Sequence, residues 1–358
     1  MTTIDEPVVL QDSHKIAKSD RPYTPSWVDR LTDWIEALPG PSWIIYLVLF
    51  FLSGSLNQLV AWIAGTVAWG EFDIYLFLNN LFTVEILFFF KFLDEDARKA
   101  LEEYRPLLST SEEDYTRIEF ELTNQPARPV MLWTIIGVLL GFSQAYSVGM
   151  MNNGTIELSP LVVYEFIGFA VPTALALVFV YRIIRQLRIV NGLYESATEI
   201  DLFNLDPVYA LSSHTAKTGL IFLLLVYTNL LLSPQSIQIP TALMITIVIS
   251  ALSFSAFILP LRGINQRLVS EKKNILREIH LRIKKVYARI DSDVDNDELD
   301  EMDRLDKTTL NLERQKAFVE KIPTWPWQPA TIRGYLSAMF LPILIWIIQQ
   351  VLERLFNI

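Results

Sequence analysis

Seven apolar runs punctuate this chain, each near the ~17–25 residues a helix needs to cross a bilayer. They cover 43–64, 74–90, 130–150, 161–180, 218–232, 239–259 and 335–352. The fifth is short, and the seventh carries Gln349 and Gln350. The pattern predicts an all-α, polytopic membrane helix bundle of about seven transmembrane helices.

Charge orients the bundle. With the N-terminus inside, the inner segments 1–42, 91–129, 181–217 and 260–334 hold 4, 6, 4 and 15 Lys/Arg. Of the chain's 30, only Arg354 falls elsewhere, and the outer turns 65–73, 151–160 and 233–238 contain none. Cations are retained on the cytoplasmic side of a membrane, so the expected topology is N-terminus in and C-terminus out. Four regions follow: 1–41, a cytoplasmic segment with an amphipathic interfacial helix; 42–260, six transmembrane helices; 261–322, a cytoplasmic helical hairpin with an acidic loop; and 323–358, an interfacial Trp/Pro link with the last transmembrane helix.

Composition agrees. Hydrophobic residues make up 51% of the 358 and charged residues only 20%, too little polar surface for a soluble chain of this size. Cysteine is absent, which excludes disulfides, thiolate nucleophiles and Cys-based zinc sites. The first 41 residues lack the apolar core of a cleaved signal peptide. A multi-pass protein of the cell membrane is expected, with the lipid bilayer as its first partner.

The inner segments carry helical periodicity. "TPSWVDRLTDWIEALPGP" sets Trp27, Leu31, Trp34, Ile35 and Leu38 on one face, with Ser26 as cap. That face meets either the inner membrane surface or the protein's own helices. Leu276, Ile279, Ile283, Val286 and Ile290 repeat with 3,4 spacing, the seam of a packed helix. Its partner is another subunit or the helix around 305–319. Lys272, Lys273, Arg277, Lys284 and Lys285 form a basic face toward anionic lipid or solvent. In "IPTWPWQPATIRGY", Trp325 and Trp327 suit the interface and three prolines stiffen the link. This link is an anchor or a lever for the last helix.

Polar residues inside the runs are the candidate site. Asn57, Asn79, Asn80, Gln144, Glu165, Asn229, Gln349, Gln350 and Glu353 gather toward the outer half, while Glu85 sits deeper among Phe82, Phe88 and Phe89. Together they suggest an outward polar vestibule for water, an ion or a small ligand, or a set of interhelical bonds. In a homo-oligomer, Gln349 and Glu353 would ring a pore mouth. The functional expectation is an oligomeric channel or transport-type protein. The alternative is a non-conducting sensor or scaffold that presents its inner helices to a partner.

Other chemistry is sparse. His14, His214 and His280 lie in separate segments with no zinc-helix, nucleophile-elbow or phosphate-loop motif. No enzyme activity, cofactor or nucleic-acid partner is expected. "RIDSDVDNDELDEMDR" puts Asp291, Asp293 and Asp295 at alternate positions of a calcium loop. Asn296 replaces the loop glycine and Met302 the bidentate glutamate, so the run reads as a solvated connector with weak divalent binding at most.

The whole layout resembles that of the insect odorant and gustatory receptor channels. Anchored on Gln349, the chain has Pro342-Ile343 where that family has Thr-Tyr, and Gln350 where it has Phe. The resemblance is one of architecture, and it implies a helical channel.

Overall fold

A computed structural model describes residues 21–153, 160–197, 201–232, 251, 253–255, 258–259, 261–295, 301–327, 332–337 and 340. Among these the chain is all-helical, without strands; Pro25 and Pro126 form an isolated bridge. The helices are α1 (Trp27–Glu36), α2 (Ser42–Ala64), α3 (Ile74–Leu78), α4 (Leu81–Tyr104), α5 (Glu112–Thr123), α6 (Ala127–Asn153), α7 (Pro160–Ser196), α8 (Asp206–Leu232), α9 (Leu261–Asp295) and α10 (Met302–Lys321). Among the described residues, five stretches are long and apolar enough to cross a membrane: Ser42–Ala64, Ile74–Leu107, Ala127–Ser147, Val162–Ser196 and Asp206–Thr228. They match the first five apolar runs. Most of the sixth and seventh runs lies outside the described residues.

Hydropathy marks where the apolar surface stops, not where the helix stops. α4 continues past Phe90 through "KFLDEDARKALEEY", a stretch of strong helix formers. α7 likewise runs on to Ser196, and α8 begins at Asp206, twelve residues before its apolar run. These spans are therefore longer rods than the sequence pattern suggests.

The first compact unit comprises residues 1–98 and 110–182. Ser26 and Asp29 form a reciprocal capping box at the start of α1. Asp29 also accepts from the Gln125 backbone at 2.9 Å, and Trp27 Nε1 donates to Thr134 Oγ1 at 2.8 Å. Val28, Thr32 and Ile35 are buried while Trp34 stays exposed. The buried face of α1 thus packs on the protein itself. In α2 a different logic applies: Leu47, Phe51, Leu52, Leu56 and Ile63 are exposed along the helix. Such a large apolar face is suited to lipid contact.

Gly65, with φ 70, closes α2 in the left-handed conformation. The Gln58 side chain then organises the turn that follows, donating to the Glu71 carbonyl at 3.0 Å and accepting from the Asp73 N–H at 3.1 Å. Trp62 Nε1 reaches the same carbonyl at 2.7 Å. α6 and α7 meet backbone to backbone. A Cβ on Gly137 would stand 2.4 Å from Ala174 Cα, and one on Gly141 2.5 Å from Ala170 Cα. Two glycines four residues apart against two alanines four apart are the small-residue packing of membrane helices.

The second unit comprises residues 99–109 and 183–358. Tyr104 and Tyr194 meet edge-on at 5.7 Å, and their hydroxyls donate to the Leu193 and Val208 carbonyls. α9 packs along α10, burying Ile279 and Asp293 on one side and Thr309, Leu312 and Val319 on the other. One of the two partners expected for the 276–290 seam, the helix around 305–319 of the same chain, packs along it. Three α9 side chains reach the carbonyl ends of other segments. Arg267 donates to Tyr194 and Ala197 at 2.9 and 2.8 Å, Lys272 to Glu320 and Ile322 at 2.8 Å, and Asn265 to Thr324 at 2.9 Å.

The first part of the acidic run, through Asp295, is helical where a connector was expected, and residues 296–300 lie outside the described residues. α9 continues through Asp295 and α10 starts at Met302. At 100° per residue, Asp293 points away from Asp291 and Asp295. It is 4% exposed and pairs with Arg289 at 3.1 Å. Helical pairing four residues apart has taken residues that the alternating acids assigned to a loop.

Candidate functional site

The polar residues predicted within the first four spans fall in the first unit, and all but the deeper Glu85 lie toward the 65–73 turn or residues 154–159. Two of them pair with α7. Asn57 Oδ1 accepts the Tyr164 hydroxyl proton, and Gln144 Oε1 accepts from Thr173 Oγ1 at 3.3 Å. α7 is therefore tied to α2 by one polar pair and to α6 by another.

Asn79 and Asn80 interrupt the second span between α3 and α4. The Asn79 N–H still bonds to Tyr75 at 2.9 Å, and the Asn80 carbonyl accepts from Thr83 and Val84 at 3.1 and 3.2 Å. Among the described residues, the buried Asn80 Nδ2 has no hydrogen-bond partner. Interrupted spanning helices expose backbone polarity at bilayer depth, where it commonly serves binding. Glu85 lies half-buried in α4, little more than one turn beyond the break.

Glu165 is exposed on α7. One turn on, Gly168 faces open space, and Pro172 leaves its carbonyl without the usual helical donor. A carboxylate and a freed carbonyl therefore lie on neighbouring turns of an apolar helix. Asn229 belongs to α8 in the second unit, and its side chain lies outside the described set, as do Gln349, Gln350 and Glu353. Asp291, Asp293 and Asp295 do not converge, and no group of three potential metal ligands occurs among the described residues.

A charged network along α4 was not anticipated. Lys91, Asp94 and Arg98 follow one another at three- and four-residue spacing, and each reaches a different helix. Lys91 meets Glu36 of α1 at 2.5 Å, Arg98 meets Glu119 of α5 at 2.8 Å, and Asp94 is closed onto Arg182 of α7. Arg182 is 3% exposed and lies over the Phe90 ring at 5.2 Å. The clue in the sequence was "KFLDEDAR", charges at helical spacing directly after an apolar run. On α1, partial desolvation of the largely exposed Asp33, and then the Asp29 carboxylate, raise it above its ordinary value, against Lys91, Arg21 and Arg98.

The chain matches no protein-family model, and neither curated proteins nor solved structures yield a significant relative. The geometry alone carries the functional reading.

Proposed function

We propose that this chain is a homo-oligomeric, multi-pass protein of the cell membrane that conducts an ion or transports a small polar solute. Seven spans, N-terminus in and C-terminus out, agree with the Lys/Arg distribution. The observation that carries the reading is Glu165, exposed on a spanning helix beside a proline-freed carbonyl. A charge carried on a spanning helix is costly in lipid, though less so toward the interface, and Glu165 stands in the second turn of α7. Water in a vestibule, or a second copy of the chain, relieves that cost. Asn80 at the break in the second span, with Asn79 and Glu85 on either side, supports the same vestibule. Asn57 and Gln144 frame it in the first unit, and Asn229, Gln349, Gln350 and Glu353 are the polar positions that the sequence sets in the later apolar runs. The four regions 1–41, 42–260, 261–322 and 323–358 then serve as surface segment, transmembrane body, inner hairpin and pore segment. The reading includes no catalytic step, cofactor or nucleic acid.

Ion flux into liposomes holding purified protein tests this directly. Flux in wild type that falls in Glu165→Gln and Gln349→Ala supports conduction. Sealed vesicles in all three would sink it.

One observation favours the scaffold alternative. Phe203 and Phe318 stack at 6.0 Å with 6° between their planes, yet remain 63% and 59% exposed. An aromatic pair left open on the second unit suits a protein partner. If removing residues 271–320 abolishes the cellular role while flux persists, display to a partner is the function that matters.

A further inference from the structure

We infer that Tyr335 is a positioning residue, seating the start of the last apolar segment on the fifth and sixth through a hydroxyl relay. Its ring is 1% exposed, and its phenol oxygen lies 2.9 Å from Ser253 Oγ. Ser253 is fully buried and donates to the Gly219 carbonyl at 2.8 Å. A serine hydroxyl has a single proton. Because Gly219 receives it, the phenol is the donor to Ser253, and the relay runs Tyr335 to Ser253 to Gly219 in that one direction. Residues of three successive apolar segments are thereby joined.

Packing enforces the same seat. A Cβ on Gly219 would stand 3.0 Å from Tyr335 Cε2 and 3.1 Å from the Ser253 carbonyl oxygen. Ala216, Leu223 and Tyr335 form a buried cluster onto which Trp327 packs. Trp327 stacks on Trp325 at 4.7 Å, and the residues just before them are held by Asn265 and Lys272 of α9. The part of the Pro/Trp link from Ile322 to Trp327 is therefore braced. Among the described residues, Trp327 thus joins the stretch held by α9 to the cluster that contains Tyr335.

The inference deepens the conduction reading, and it rests on that reading only where flux is the readout. Hydrogen exchange of the full-length protein in nanodiscs provides a second, independent readout. A hydrogen bond between spanning helices shifts a local equilibrium by about threefold on average. Tyr335→Phe and Ser253→Ala should each speed exchange in residues 332–337 by roughly that factor. The double variant should go no further than either single, and α6–α7 exchange should not change. Liposome flux should shift in the same non-additive way, which a merely structural role would not produce. Wild-type exchange in Tyr335→Phe, or two single effects that multiply, overturns the relay. Vesicles without flux in wild type would remove the conduction reading, while the exchange data still decide the relay.

Discussion

The Arg182 guanidinium is enclosed between the Asp94 carboxylate and the face of Phe90, almost wholly out of contact with solvent. A buried ion pair gains little over an apolar pair, but half of one is costly. Arg182→Met alone should destabilise the protein by about 3–5 kcal/mol, because Asp94 is left charged and buried. Adding Asp94→Leu should recover most of the loss. Thermal unfolding of the purified variants in detergent measures both, and a double variant no better than the single would exclude this account.

Gly137 and Gly141 leave no room for a side chain. The nearest atoms belong to the α7 backbone, so trimming Ala174 to Gly cannot relieve Gly137→Ala. Overpacking of this kind costs about 1–3 kcal/mol. A lowered midpoint for Gly137→Ala, unchanged when Ala174→Gly is added, is the expected result.

Gln58 holds the outer turn with both ends of its amide. Gln58→Leu fits the span but leaves the Asp73 N–H without that partner, while Trp62 still holds the Glu71 carbonyl, at about 1–3 kcal/mol for the unmet group. The effect should be local: faster hydrogen exchange at 71–76, with the rest of the chain unaltered.

Asp33 supplies a pH signature. Its folded pKa is raised, so the fold prefers the neutral acid and ionisation opposes folding. The stabilisation linked to this group is present below the unfolded value, about 3.9, and lost as pH rises through the folded one. Asp33→Asn should therefore raise the unfolding midpoint near neutral pH, and the gain should vanish below about pH 3.9. A gain that persists in acid would point to another cause.

Much of the layout was legible because the bilayer imposes length. The first five apolar runs all lie in helical stretches of spanning length, the second broken at Asn79–Asn80, and Ser26 capped α1 as its position implied. Helix ends were not legible, since Lys, Glu and Ala extend a helix without an apolar signal. Pairings were harder still. Asn57 and Tyr164 lie 107 residues apart, and no periodicity relates them. The Asn79–Asn80 pair was visible as polarity but not as a break. Asp291, Asp293 and Asp295 misled because an alternating acid pattern resembles a loop, whereas Arg289 four residues before Asp293 favours a helix. Gly137-Val-Leu-Leu-Gly141 carried its own signal in the small-residue spacing.

The α6–α7 contact also bears on how the protein is made. Its two helices are consecutive, and Gly141 meets Ala170 only 29 positions later. Contacts so near in sequence form early and close little loop. The pair can therefore dock without waiting for the later helices. A growing chain would then present later helices with a finished two-helix template, and substitutions at Gly137 would act first on biogenesis.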